Sequence, residues 1–159
     1  MRAYRPEVHE LDLDFVLHEG GLASTWAQAA AVGDPVAVAG PPGAVAFPQH
    51  HAHYVLAVDA TALPAAARWL EEAPADVRAH LVIDSTERGY PLAVRGGVEV
   101  IWLDRGGLAE TVQSLELPED TFVFAAGEAD AVKPLARVEP RPVRRTRHGL
   151  LEEWRDRSR

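Results

Sequence analysis

Residues 54–64 read YVLAVDATALP, and this stretch decides the fold. Its first five residues form a short, almost wholly apolar run, which is typical of a strand buried on both faces of a sheet. The residues that follow predict a helix over 64–73, because Pro64 is suited to the first turn of a helix. A buried strand that leads directly into a helix indicates a βαβ unit, and therefore a parallel sheet.

The sequence beyond residue 73 repeats this alternation of apolar strands and short helices. The predicted strands cover residues 80–83, 98–103 and 121–125, and the predicted helices cover residues 108–115 and 129–137. Helices that connect parallel strands pack on both faces of their sheet. We therefore predict an α/β fold over residues 53–137, in which a Rossmann-like parallel sheet is the middle of three layers.

The sequence before residue 53 has a different pattern. Apolar side chains alternate with mostly polar ones over residues 8–18, which predicts a strand with one buried face. The other elements predicted here are a helix over 22–30, after Gly20 and Gly21, and a strand over 35–39. A Gly-Pro-Pro-Gly turn at residues 40–43 and the irregular sequence after it indicate a domain boundary between residues 45 and 53.

The composition is that of a folded domain without membrane spans. The chain has 159 residues, of which 47% are hydrophobic, and no apolar run approaches the roughly 18 to 20 residues of a membrane span. The N-terminus has no apolar segment typical of a signal peptide, so we expect a cytoplasmic protein. Cysteine is absent, which excludes disulfides, thiolate metal sites and cysteine nucleophiles.

The charge is unevenly distributed along the chain. Residues 1–132 carry 20 acidic and 7 basic side chains, whereas residues 133–159 carry 4 acidic and 9 basic ones. An acidic body repels nucleic acid, since electrostatics supplies most non-specific binding, so no nucleic-acid partner is expected. The basic tail over 138–159, with a possible short helix over 150–157, is expected to lie in solvent against this acidic body.

Three polar clusters follow predicted strands, where open α/β sheets bind their ligands. They are Asp59-Ala60-Thr61-Ala62, Asp104-Arg105-Gly106-Gly107 and Gly127-Glu128-Ala129. A helix that starts near Pro64 would offer free N–H groups and a positive dipole end to a phosphate. Taken singly, each cluster is explained more simply as capping and turn chemistry. The sequence has neither a G-x-G-x-x-G nor a G-x-x-x-x-G-K-[ST] motif, so any nucleotide site is of another type.

Three histidines close together, His50, His51 and His53, raise the possibility of a zinc site. Adjacent histidines point in different directions and no carboxylate is near them in the sequence, so we expect a solvated linker and no metal site. The four tryptophans are spread over separate elements, and we expect them to pack in the core or between helices.

Taken together and in this order, the motifs resemble those of siderophore-interacting proteins, which are flavin-dependent ferric-siderophore reductases of the ferredoxin-reductase-like superfamily. The segments that carry the resemblance lie between residues 2 and 129. They read RAYRPE at 2–7, ELDLDFVLH at 10–18, GLASTWA at 21–27, YVLAVDATALPA at 54–65, EVIWLDRG at 99–106 and AGEA at 126–129.

The resemblance implies two units and a redox function. Residues 1–45 would be the C-terminal remnant of a flavin-binding β-barrel, and residues 53–137 a ferredoxin-reductase-type nucleotide domain. The positions that match FAD-binding residues are His18, Gly20, Gly21, Ala23, Ser24 and Trp26; those that match the NADPH- or NADH-binding crevice are Asp59, Thr61, Ala62, Arg105 and Glu128. The implied reaction is NAD(P)H-dependent, flavin-mediated reduction of a ferric siderophore; the resemblance assigns no catalytic side chain.

This chain also departs from the family pattern. The Arg-x-Tyr-Thr/Ser motif that grips the flavin falls before Met1 in the best register, so we expect an N-terminally truncated barrel and weak or absent FAD binding. Val58 and Ala60 stand where the family usually has Gly and Glu. Exposed barrel edges would favour a homodimer through residues 1–45. The alternative function is a non-catalytic binding module that keeps the nucleotide-domain fold without flavin.

Overall fold

Two short antiparallel strands open the described part of the chain. The computed structural model describes residues 2–39 and 47–135. Strands β1 (Ala3–Arg5) and β2 (Glu10–Asp12) pair with Ala3 opposite Asp12, and a 3₁₀ turn at Pro6–Val8 joins them. Helix α1 (Leu22–Ala29) follows after a turn at Glu19 and Gly20. The helix agrees with the one predicted over residues 22–30.

The strands predicted for this region are wrong in their extent. Of residues 8–18, only Glu10–Asp12 form a strand, and residues 35–39 form none. A strand requires a neighbouring backbone, and within residues 2–39 only β1 supplies one. Residues 13–18 are held in other ways: Ser24 donates a hydrogen bond from Oγ to the Val16 carbonyl at 3.1 Å.

A four-stranded parallel sheet forms the centre of the remaining chain. Its strands are β3 (His53–Asp59), β4 (Ala79–Asp84), β5 (Val98–Leu103) and β6 (Thr121–Ala126), and they lie in the order β5-β4-β3-β6. All seven residues of β3 are buried, as the apolar run predicts for a central strand. The chain reverses its direction of winding between β3 and β6. This is the switch point at which open α/β sheets form a ligand crevice.

Helices and one long connection cover the two faces of this sheet, which confirms the predicted three-layer α/β architecture. Helix α2 (Leu63–Glu72) packs on one face together with Tyr90 and Leu92 from the connection between β4 and β5. Helices α3 (Leu108–Ser114) and α4 (Ala129–Val132) pack on the other face. Even-numbered residues of β3 face α2 and odd-numbered ones face α3, so each strand contributes to two cores.

The predicted elements of this unit agree with the structure to within a few residues, except that α4 ends at Val132, before the predicted residue 137. Trp69 and Trp102 pack against the α2-side core, whereas Trp26 lies beside Phe15 and is 40% exposed. The basic tail over 138–159, with the helix predicted over 150–157 and Trp154, lies outside the described residues. Within residues 2–39 and 47–135, no helix is long and apolar enough to cross a membrane.

Candidate functional site

The carboxylate of Asp59 organises the edge of the sheet where β3 ends. Asp59 is the last residue of β3 and is only 8% exposed. Its Oδ1 accepts hydrogen bonds from the Thr61 backbone N–H at 2.8 Å, from Thr61 Oγ1 at 2.6 Å and from the Ala62 N–H at 3.3 Å. The three predicted residues Asp59, Thr61 and Ala62 thus form one hydrogen-bonded turn at the start of α2.

The same carboxylate reaches across the switch point to the end of β6. Asp59 Oδ2 accepts a hydrogen bond from the backbone N–H of Glu128. Gly127 has φ +153, and a Cβ atom at this position would overlap the Asp59 carboxyl group. Only glycine therefore allows the backbone of β6 to approach Asp59 this closely. The structure brings Glu128 together with Asp59 through its backbone, while its own side chain lies in solvent.

These contacts change the expectation for the start of α2. The sequence predicted free N–H groups that could hold a phosphate, but the N–H groups of Thr61 and Ala62 already donate to Asp59, and Pro64 has none. A carboxylate at a helix N-terminus occupies the place that an anion would take. Val58, which replaces a usual glycine, is wholly buried against α2 and does not project into the crevice.

The ends of β4 and β5 add charged groups to the same edge. Asp84, which lies opposite Asp59 in the sheet register, accepts a hydrogen bond from the Gly106 N–H at 2.7 Å. Arg88 pairs with Asp104 and lies 5.7 Å from the centroid of the Trp102 ring. The predicted Arg105 follows β5 and is exposed, two strands away from Asp59. Sequence reasoning missed Asp84, although it ends an apolar run as Asp59 does.

A second candidate site lies at the start of α1. Gly20 has φ +76, a conformation that favours glycine, and Gly21 is the N-cap residue of the helix. The His18 ring covers Gly21 so closely that a Cβ atom there would overlap it. No side chain caps α1. The first N–H groups of this helix are therefore not taken by a capping side chain, and they form a donor set suited to a phosphate. His18 Nδ1 lies 3.1 Å from the Glu19 carbonyl oxygen, to which it donates, so the His18 ring lines this site without adding a free donor.

The other predicted residues of α1 have distinct positions. Ala23 is exposed in the first turn. Ser24 is only 2% exposed, and its Oγ accepts a hydrogen bond from the His18 N–H at 3.2 Å while donating to Val16. The Ser24 hydroxyl thus holds residues 16–18 against the helix. Trp26 lies half-exposed, with its ring centroid 5.7 Å from that of Phe15.

A row of polar side chains crosses the opposite, amino-terminal edge of the sheet. His53 Nε2 lies 3.0 Å from His80 Nδ1, and His80 Nε2 lies 3.3 Å from Glu99 Oε2. A carboxylate can only accept, so the His80 hydrogen is on Nε2, and in the neutral pair His53 Nε2 donates to His80 Nδ1. Burial, with the nearby His80 and Arg78, lowers the pKa of His53 to about 4.

These contacts correct the expectation of a solvated histidine linker. His53 is the first residue of β3 and is 7% exposed. His51 Nδ1 lies 2.7 Å from Asp120 Oδ1, so a carboxylate does neighbour these histidines, and the hydrogen bond from His51 lowers the pKa of Asp120. Sequence distance hid this neighbour, because Asp120 precedes β6. Across residues 2–39 and 47–135, no group of three or more His, Asp or Glu side chains is placed to hold a metal ion.

Comparisons with known proteins match both units of the chain. Residues 51–155 match the family model described as "Siderophore-interacting protein". Residues 1–45 match the model described as "Siderophore-interacting FAD-binding domain". The second region includes the whole α1 site, and the first includes the whole edge organised by Asp59.

Individual relatives are similar over most of this chain. The NADPH-dependent ferric-chelate reductase of Escherichia coli (strain K12) is 34% identical over 138 residues, which cover 81% of this chain and 54% of that protein. The ferric vibriobactin reductase ViuB of Vibrio cholerae is 30% identical over 144 residues, which cover 83% of this chain and 53% of that protein. This chain therefore spans a little over half the length of these curated relatives.

The fold comparison agrees with the sequence comparisons. The crystal structure of a siderophore utilization protein from T. fusca superposes with a TM-score of 0.80 and is 37% identical. The match covers 92% of this chain and 60% of that one.

Proposed function

The chain belongs to the siderophore-interacting protein family, and from this premise we propose that it takes part in the NAD(P)H-dependent, flavin-mediated reduction of ferric siderophores in the cytoplasm. The observation that carries the proposal is the contrast between two helix starts. The first N–H groups of α1 have no carboxylate beside them, whereas the Asp59 carboxylate holds the turn immediately before α2.

The α1 site is the candidate for the FAD phosphates. Its donors are the first backbone N–H groups of α1, at Ala23 and Ser24 among others, and Gly20 and Gly21 let the backbone turn tightly beside them. The His18 ring lies over Gly21 and forms one wall of the site. The Ser24 hydroxyl is not among the donors, since it holds His18 and Val16. Trp26, which lies beside Phe15, is the aromatic side chain of the same helix and is half-exposed.

The Asp59 edge is the candidate for the nicotinamide nucleotide, whether NADPH or NADH. Because Asp59 occupies the start of α2, the phosphates of the nucleotide are expected away from Thr61 and Ala62. Arg105 and Arg88 are the cations at the neighbouring strand ends that would receive them. Asp59 and Glu128 then shape the crevice at the switch point, where the uncharged parts of the nucleotide fit.

The chemistry in this proposal comes from the flavin, which when bound accepts a hydride from the nucleotide and delivers single electrons to chelated Fe(III). The ferric siderophore is the substrate. Reduction to Fe(II) weakens the hold of hard oxygen ligands on the iron. The residues of this chain bind and orient the two cofactors, and no side chain of the described residues is assigned a proton-transfer role.

For the 159-residue chain itself we expect weak FAD binding. Residues 2–39 supply two three-residue strands and one helix, and several of their large apolar side chains remain exposed. An isoalloxazine ring gains affinity mainly by burial in a preformed cleft, and these elements enclose little of it. Phosphate contacts at α1 remain, and salt weakens them.

The test is an NMR titration of the purified chain with FAD at low salt. The purified protein should be colourless, and FAD should shift the amide signals of residues 20–24 while leaving those of Thr61 and Ala62 in place. His18→Ala, which removes the ring over Gly21, should reduce these shifts, whereas His50→Ala, at an exposed histidine outside residues 2–39, should not. Shifts confined to residues outside 18–26 would contradict the α1 assignment, and a yellow protein with stoichiometric FAD would contradict weak binding.

The alternative is a binding module that keeps the nucleotide fold without flavin. The small N-terminal elements favour it, because residues 2–39 enclose little of an isoalloxazine ring. The same titration separates the two functions. A module without a flavin role predicts no FAD-dependent shift at residues 20–24, even at low salt, together with shifts near Arg105 on addition of NADH.

A further inference from the structure

Four side chains join the N-terminal segment to the nucleotide-type unit. They are Arg2 and Asp14 from the first, and Glu71 and Tyr90 from the second. Between residues 2–39 and residues 47–135, every side-chain hydrogen bond and ion pair in the described structure belongs to this group. We refer to these four residues as the joint.

The first contact of the joint is a two-pronged ion pair. Arg2 Nη1 donates to Glu71 Oε2 at 2.7 Å, and Arg2 Nη2 donates to Glu71 Oε1. The Arg2 side chain is only 18% exposed, and its backbone N–H donates to Asp12 at 2.8 Å, so Arg2 is fixed to β2. The hydrogen bonds between the two side chains lower the pKa of Glu71 and raise that of Arg2. Paired donors of this kind fix an orientation as well as a distance.

The second contact is the hydrogen bond that the Tyr90 hydroxyl donates to Asp14 Oδ2. The Tyr90 ring packs against the core on the α2 side of the sheet, which fixes its position. Burial and the bond to Asp14 raise the pKa of Tyr90 to about 12, so the hydroxyl remains a donor at neutral pH. Asp14 lies in residues 13–18, which have no strand partner of their own.

We propose that the joint sets the orientation of the α1-bearing segment relative to the edge of the sheet organised by Asp59. Tyr90 belongs to the connection between β4 and β5, which leaves that edge at Ser85 and contains Arg88, whose partner Asp104 follows β5. One connection therefore links the two candidate cofactor sites. Glu71 and Tyr90 are positioning residues, since neither lies in the candidate sites. A role of this orientation in hydride transfer rests on the proposed function, whereas the contacts of the joint do not depend on it.

The experiment measures the distance between the two units in the full chain without any cofactor. The protein has no cysteine, so Gln28→Cys on α1 and Gln113→Cys on α3 give two unique, exposed positions for spin labels. Pulsed electron paramagnetic resonance then yields the distribution of distances. The joint variants are Glu71→Gln, Arg2→Gln and Tyr90→Phe. Glu72→Gln is the matched control, because Glu72 is the next residue of α2 and pairs with Arg68 within the same helix.

The parent and Glu72→Gln should give one narrow distribution. Glu71→Gln and Tyr90→Phe should widen it at least about twofold, as expected when two bodies lose a fixed orientation. Arg2→Gln combined with Glu71→Gln should widen it no more than either change alone, since both remove one interaction. Glu71 is exposed, so its variant is expected to fold, which circular dichroism checks. Equal distributions in Glu71→Gln, Tyr90→Phe and Glu72→Gln would overturn the proposal, whatever the outcome of the FAD titration.

Discussion

At the scale of single residues, the carboxylate of Asp59 holds together two turns that are distant in sequence. Its two carboxylate oxygens receive hydrogen bonds from the turn before α2 and from the turn after β6. An aspartate that ends one strand and holds two turns has the structural role that sequence reasoning favoured for such clusters. The partner across the sheet, Glu128, was unforeseen as a contact, because 69 residues separate the two positions.

Substitution of Asp59 provides the residue-scale prediction. Asp59→Ala leaves the N–H groups of Thr61 and Glu128 without their acceptor in a part-buried place, while the Ala62 N–H keeps only the carbonyl of residue 59. Hydrogen bonds to a charged group contribute about 1.5 to 3 kcal/mol, so the free energy of unfolding should fall by about 2 to 3 kcal/mol. Urea denaturation measures this change. Asp130→Ala removes a carboxylate that is 97% exposed and should change stability by less than about 0.5 kcal/mol; a similarly small effect at Asp59 would contradict its bridging role.

At the scale of elements, the parallel strands carry a polar row at one end and a candidate site at the other. His53, His80 and Glu99 lie on adjacent strands at the amino-terminal edge, on the face covered by α3 and α4. Apolar strands were predicted here with nearly correct limits, since their pattern is local. The short length of β2 was not predicted, because a strand also requires a neighbouring strand, which the alternation of apolar and polar residues does not reveal.

The polar row predicts a pH dependence of the sheet. Burial lowers the pKa of His53 to about 4, whereas an unfolded histidine titrates near pH 6.5. The unfolded chain therefore binds the proton first, so the stabilisation is fully present above about pH 6.5 and is lost as the pH falls toward 4. Between about pH 7 and pH 4.5, the parent should lose about 2 kcal/mol more than His53→Gln, measured by urea denaturation at each pH.

The control for this prediction is an exposed histidine nearby. His50→Gln should keep the full pH dependence of the parent, because His50 lies in solvent just before β3. Identical pH profiles of the parent and His53→Gln would show that protonation of His53 does not limit the acid stability of the sheet.

At the scale of the whole molecule, the two units differ in how completely they bury their apolar side chains. The sheet and its helices enclose two cores, whereas most of the large exposed apolar side chains lie before residue 40. Leu22 is 90% exposed and Val38 is 63% exposed. Apolar surface concentrated in one region marks an interaction site.

This surface leads to the prediction that two chains associate through residues 1–45. Light scattering after size exclusion should give the mass of a homodimer at roughly 10 μM, a concentration at which a standard interface is occupied. Leu22→Ser combined with Val38→Ser should shift the protein toward the monomer, because both remove exposed apolar surface from the segment. Val94→Ser, at an exposed valine of the nucleotide-type unit, should leave the mass unchanged; a parent protein that is monomeric at this concentration contradicts the prediction.

The sequence by itself determined the order of strands and helices beyond residue 53, the parallel three-layer architecture and the residues that mark the family. These depend on apolar runs, prolines and glycines whose effects are local to the chain. Only the tertiary structure decided that Asp59 fills the start of α2, that His53 is buried beside His80, and that Arg2 and Tyr90 join the two units. The physical reason is that a polar side chain takes the partner that neighbouring strands and loops bring to it, and that neighbour is distant in sequence.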